Sequence, residues 1–546
     1  MLHSKRGVES KMINIVLSEL DFDYELQALV NSFYPGQKSR VCVADGMKQI
    51  TKEKVLSAVG EFTDMADCQE KFVIGIFFGT GQIEIGVFCN NRWKQEQVLV
   101  QEGEDWHKHE DKSAHPYRTY YKNELKRLLF LLLRDLDEKE LPEGYRKRVP
   151  EWGTMTGVRP TKIPMNQLLQ GKSYEDVEKE LEKWYCCTKE KQKLCLDIAV
   201  REAELLKDID FVNGYSLYIG IPFCPTTCLY CSFPSYPYET FGHLSDAYLQ
   251  ALKKEIMQTA QRCKGHPLTS IYIGGGTPTA LSTAQLEELL SCVRACFPLK
   301  ESYEFTVEAG RPDSITREKL EVLRRYDVER ISVNPQTMQQ KTLDLIGRRH
   351  TVEQTKEAFL MARELGFSNI NMDLIIGLPQ ETPDDFEDTL RQIQKLAPDS
   401  VTVHSLVVKR ASRLRSVLEQ MGDFAKEEAQ RSRYMTAMLQ MAQDFADAEG
   451  YAPYYMYRQK NSAGHAGSSG QENIGFAKEG KECLYNILIM EEMQTIIACG
   501  AGASTKRYHP QKKIVSRIEN VKSITDYIAR IDEMIERKAS VFLESV

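Results

Sequence analysis

No apolar run in the 546-residue chain approaches the roughly 20 residues that a membrane-crossing helix needs, and no signal-peptide pattern opens it. A cytoplasmic protein with no membrane partner is expected. Low-complexity tracts and solenoid periods are missing, which excludes array architectures. A net charge of -7 with a pI near 5.9 gives no general attraction to nucleic acid, which would usually show as a basic domain or stripe. The 14 cysteines are spread through a large chain, which argues against a disulfide scaffold and for a reducing compartment.

What is present exceeds one ordinary domain. We expect a flexible leader at 1–11, an α+β accessory domain at 12–205, an α/β partial barrel at 206–440 and a C-terminal α+β domain covering the substrate at 441–546. In the accessory domain, apolar strands at 71–78 and 82–88 flank Gly79-Thr80-Gly81, a hairpin signal, and a helix is expected over 120–136. Trp106, His107, His109 and His115 lack a ligand pattern and read as a solvated loop; Arg159 and Lys162, and the Cys186-Cys187 pair, read as packing.

From residue 216 onward strands at 216–221, 268–274, 303–308, 328–333, 369–374 and 399–406 alternate with helical segments. Ser282 with Gln285 and Thr351 with Gln354 fit capping boxes, and Thr382-Pro383 places proline at a first helical position. This rhythm implies parallel strands with right-handed crossovers, and chemistry at their carboxyl ends.

The first of these strands runs into Cys224, Cys228 and Cys231, spaced CxxxCxxC, on a loop that Pro222 and Pro225 keep irregular. Three soft thiolates can hold three corners of a 4Fe-4S cubane, and without a fourth nearby cysteine one iron stays open. A zinc site, which normally adds a fourth ligand, and three unconnected buried cysteines are the competing readings. The second strand ends in Gly274-Gly275-Gly276-Thr277, whose glycines let backbone approach a ligand. Glu308, Gln336 and Asp373 fall at or near later strand ends, and Arg348 could pair with a carboxylate.

The cysteine loop resembles the signature of the radical S-adenosylmethionine (SAM) enzymes. Tyr-Ile-Gly-Ile-Pro-Phe-Cys from Tyr218, Gly-Gly-Gly-Thr-Pro-Thr from Gly274, Val-Glu-Ala-Gly-Arg-Pro-Asp from Val307, Arg-Ile-Ser-Val-Asn-Pro-Gln from Arg330 and Asp-Leu-Ile-Ile-Gly-Leu-Pro from Asp373 resemble the oxygen-independent coproporphyrinogen III dehydrogenase family, in its HemZ-type branch. The resemblance implies a partial (β/α)6 barrel, a 4Fe-4S cluster on Cys224, Cys228 and Cys231, and SAM. It puts Tyr230 against adenine, and Gly275, Gly276, Thr277 and Glu308 near the methionine end. Gln336 and Asp373 would hold the ribose, Arg348 the carboxylate and Tyr218 the sulfonium; Tyr218 and Glu308 would be catalytic.

Two departures stand out: Gly220 replaces a histidine and Phe233 a cysteine of the better-known members. The implied reaction, in an anaerobic setting, converts propionates of coproporphyrinogen III to vinyl groups in haem biosynthesis, with a low-potential donor such as flavodoxin or ferredoxin. Lys409, Arg410, Arg413 and Arg458, with Lys460, Lys506 and Arg507, are the cations expected to clamp the substrate carboxylates. The alternatives are a haem-binding chaperone, with His404 or Tyr455 as axial ligand, and a radical SAM methyltransferase that opens the haem ring.

Overall fold

Apolar side chains alternate along Met12–Leu17 so that Ile13, Ile15 and Leu17 share one face of a strand and Val16 lies on the other. Both faces are covered. The computed structural model describes residues 12–44, 49–60, 72–79, 81–100, 115–142, 145–231, 234–299, 303–408, 413–421, 424–459 and 472–541. The described residues form two compact units, one up to Leu196 and the other from Asp197 onward. The leader, Trp106, His107 and His109 lie outside the described residues.

The first unit holds strands β1 (Met12–Leu17), β2 (Lys38–Val43), β3 (Phe72–Gly79), β4 (Gln82–Cys89) and β5 (Arg92–Leu99) in the order β2-β1-β3-β4-β5. β1 runs parallel to both neighbours, and β3, β4 and β5 form antiparallel pairs. Gly79 pairs with Gln82, the register of the expected hairpin. Helices Asp23–Phe33 and Pro116–Arg134 cover the Ile13 face through Leu26, Leu29, Leu125 and Leu129; Lys52–Gly60 covers the Val16 face through Val55 and Val59.

In the second unit the expected strands are β6 (Tyr215–Ile221), β9 (Leu268–Gly275), β10 (Glu304–Gly310), β11 (Arg330–Val333), β12 (Ile370–Ile376) and β13 (Ser400–Ser405), all parallel and neighbouring in chain order. Between them β7 (Phe223–Cys224) pairs with β8 (Tyr236–Pro237). The caps form as the sequence requires, with reciprocal bonds at Ser282 and Gln285, Thr351 and Gln354, and Thr382 and Asp385.

The C-terminal additions extend this same sheet at both edges. β14 (Ala452–Arg458) and β15 (Glu472–Ala477) join antiparallel at β13. β16 (Thr495–Cys499) adds a seventh parallel strand beside β6, followed by β17 (Ser504–His509) and β18 (Ile514–Glu519). Helix Leu484–Glu491 is anchored by Glu304, which accepts from the Leu484 amide at 2.6 Å and from the Cys483 thiol at 3.3 Å. That carboxylate meets the positive helix end, where orphan amides need an acceptor. The architecture is an α/β fold built on six parallel strands in chain order, with N- and C-terminal additions.

Candidate active site

Beyond Ile221 the two prolines stop the β6 ladder, and the cysteine loop is held by bonds to other elements. The Leu229 amide donates to Ile346 O at 3.0 Å, and the Leu414 amide donates to Leu229 O at 3.1 Å. Arg413, expected among the substrate cations, donates through Nη2 to Thr227 O at 2.9 Å and Cys228 O at 3.5 Å, so the structure places it on the loop.

Among the described residues Cys224, Cys228 and Cys231 enter no disulfide. Burial chiefly pushes the Cys224 thiol up to about 11, opposed by the Thr277 hydroxyl, which lies 3.6 Å from its sulfur. The charges of Cys228 and Cys231 raise it further, so the three sulfurs sense one another. Among the described residues no three His, Cys, Asp or Glu side chains are gathered to suit one metal ion; a cubane takes each thiolate at a separate iron. A loop with three soft donors, held before metal binds, fits a 4Fe-4S cluster.

Beside it, Gly275 has a φ of +104°, and a Cβ there would lie 2.9 Å from Tyr218 Oη. A Cβ on Gly276 would meet Phe223 O at 2.5 Å, because the Gly276 amide donates to Ile221 O and the Thr277 amide to Phe223 O, both at 2.7 Å. Side chains are thus excluded from this turn, which leaves a backbone cradle between the cysteine loop and Glu308.

Glu308 accepts from the Tyr272 hydroxyl and from the Gly275 amide at 3.3 Å. Burial raises its carboxyl to about 7, the Tyr272 bond opposes that rise, and Asp373 adds to it. Such a carboxylate, partly open and near neutrality, can receive an ammonium group.

Gln336 sits at φ +70°, a left-handed conformation that a long side chain pays for in strain. Its backbone is held there by β12: its amide donates to Asp373 O at 3.0 Å and its carbonyl accepts from Ile375 at 2.8 Å. Asp373 accepts from Asn371 at 2.7 Å, and His404 Nε2 lies 4.0 Å away, with His404 Nδ1 3.3 Å from Asn473 Oδ1. Gln336 and Asp373 therefore stand side by side through their backbones.

Arg348 is buried, donates to Asn334 O, and bonds with Tyr230 and the Cys228 sulfur. Tyr218 stacks on Tyr272 with centroids 6.3 Å apart, and Tyr272 on Tyr485 at 4.5 Å. Lys506 pairs with Glu492 at 3.1 Å, and Arg458 lies opposite Glu472 in the β14–β15 register. Tyr455 is buried. Lys409, Arg410, Lys460 and Phe233 lie outside the described residues. At Gly220 a Cβ would make only ordinary contacts, 3.4 Å from Cys499 O and from the Tyr218 ring.

Sequence reading missed Tyr272 and Tyr485, whose rings lie under the site, and His350, whose buried ring is pushed down to about 3 by burial first and then by Arg348. It also missed Arg311 and Asp313, which were legible only as an Arg-Pro-Asp turn three residues past Glu308.

Residues 218–393 match the Radical SAM superfamily. The chain is 40% identical over 400 residues to the oxygen-independent coproporphyrinogen-III oxidase-like protein HemZ of Bacillus subtilis (strain 168), covering 72% of this chain and 77% of that one. It is 39% identical over 195 residues to the heme chaperone HemW of the same organism, 36% of this chain and 51% of that one. Among solved structures, coproporphyrinogen III oxidase (HemN) from Escherichia coli is 25% identical with a TM-score of 0.47, over 59% of this chain and 70% of that one. With a 4Fe-4S cluster and SAM as its cofactors, the chain belongs to the radical SAM family of oxygen-independent coproporphyrinogen-III oxidase-like proteins that includes HemZ.

Proposed function

We propose that this protein oxidatively decarboxylates the propionate side chains of coproporphyrinogen III, giving the vinyl groups of protoporphyrinogen IX. The observation that carries the reading is the extent of the likeness to HemZ, which spans 77% of that protein. When bound, the cluster and SAM supply a one-electron cleavage whose carbon radical abstracts hydrogen.

The residues of the chain orient and shield that chemistry. Glu308, ionised above about pH 7, would hold the methionine ammonium against the Gly275–Gly276 cradle. Arg348 would hold the methionine carboxylate, and Gln336 and Asp373 the ribose. Tyr218 would stand beside the sulfonium, and the Tyr218–Tyr272–Tyr485 stack would exclude water beneath it. Lys409, Arg410 and Arg458 clamp propionates. Hydrogen leaves the β carbon of a propionate, carbon dioxide departs, and one electron passes to an external acceptor, leaving the vinyl group. A flavodoxin or ferredoxin supplies the electrons for SAM cleavage.

The second reading, haem binding and delivery, has the likeness to HemW in its favour. Anaerobic reconstituted protein given SAM, reductant and coproporphyrinogen III separates the two. The decarboxylase releases two carbon dioxide molecules per divinyl product, whereas stoichiometric haem binding without carbon dioxide would replace this proposal with the chaperone.

A further inference from the structure

Arg311 is 3% exposed, at the end of β10, and reaches back across the site to the cysteine loop. Its Nη1 donates to Thr226 O at 2.9 Å and Thr226 Oγ1 at 2.6 Å, and lies 3.9 Å from Cys228 Sγ. The other side of the guanidinium is gripped by Asp313, with Nε to Oδ1 at 2.9 Å and Nη2 to Oδ2 at 2.5 Å. The turn that sets the two residues in register is itself locked, since Ser314 donates through its amide and hydroxyl to Arg311 O at 3.0 and 2.7 Å.

We propose that Arg311, oriented by Asp313, is a positioning residue for the cluster: it holds the loop in ligating shape before iron binds and aims a guanidinium at the Cys228 sulfur, raising the cluster's reduction potential. The fork is planar and pre-organised, so Asp313 fixes the orientation of the remaining N–H groups. Reduction adds negative charge to the cluster. A cation and an N–H donor at a ligand sulfur favour the reduced state, a general means by which proteins set iron-sulfur potentials. Arg348 meets the same sulfur, but of the two only Arg311 is fixed in orientation by the Asp313 carboxylate. The inference rests on the cluster and not on the tetrapyrrole.

Two measurements on the full chain test it, neither using substrate. In metal-free protein, hydrogen exchange at the Leu229 and Cys231 amides should rise at least tenfold in Arg311→Met. In iron-loaded protein, a potentiometric titration followed by electron paramagnetic resonance should show about tenfold less cluster reduced at a fixed potential, a shift of about 59 mV for one electron. Arg311→Lys, which keeps the charge and loses the fork, should recover part of that shift. Unchanged exchange in the metal-free variant overturns the proposal even where iron loading fails, and an unchanged potential in loaded Arg311→Met overturns it as well.

Discussion

Glu255 and Glu308 are glutamates of the same unit whose surroundings set them apart. Glu255, fully buried, accepts from the Gly500 amide and Asn520 Nδ2, each at 2.8 Å, and from the Tyr527 hydroxyl, and is paired with Lys538. Every lone pair is used, and the group ties β16 and the C-terminal helices to helix Ser245–Arg262. Glu308 has two neutral donors, no cation in contact among the described residues, and an open side at the strand end. A saturated carboxylate holds a fold together; one short of donors and open at a strand end can take a ligand.

The largest effect should come from Glu255→Gln, which leaves the Lys538 charge buried and unmatched. A loss of about 3–5 kcal/mol in chemical denaturation is expected, with the SAM site affected only through folding. Glu308→Gln should do the reverse: SAM binding by calorimetry weakens about 10- to 100-fold, the worth of a charge-assisted bond, while the melting temperature stays near that of the parent. If both variants lost stability alike, the contrast would fail.

A third glutamate sharpens the comparison. Glu202 is fully buried, neither carboxyl oxygen has a hydrogen-bond partner among the described residues, and burial first and then Glu491 raise its pKa well above the ordinary range. The folded chain holds a proton there that the unfolded chain releases above about pH 4.3. Stability from this group is therefore full at lower pH and is lost as pH rises toward the folded pKa. Glu202→Gln should melt with the parent near pH 4 and be more stable by about 1–3 kcal/mol at pH 8. An advantage that shrinks as pH rises would contradict the sign.

The smallest effect concerns tuning. Tyr272→Phe removes the donor that holds the Glu308 carboxyl down, so the acidic limb of SAM cleavage should move to higher pH with the plateau rate little changed. A limb that stays in place would mean that Tyr272 only packs.

Much of this was legible in the chain. Six parallel strands and three helix caps follow from local patterns, because periodicity and capping act within a few residues. The strand Thr495–Cys499 was not legible, since it inserts beside Tyr215–Ile221 from far along the sequence and no local signal marks its partner. At the site, the cysteines and glycines announce themselves by spacing. Glu308, Gln336, Asp373 and Arg348 took their roles from the family resemblance. Arg311, Tyr272, His350 and Tyr485 act across gaps in sequence that only folding closes, so composition and spacing could not single them out.

The central claim is a cluster with one iron free for SAM on the loop of Cys224, Cys228 and Cys231. Electron paramagnetic resonance of the anaerobically reconstituted, reduced protein, recorded before and after SAM is added, tests it most directly. One 4Fe-4S signal per chain that changes on adding SAM, with deoxyadenosine formed on turnover, is the predicted result. A signal indifferent to SAM, or a centre that forms equally well in Cys228→Ala, would contradict it.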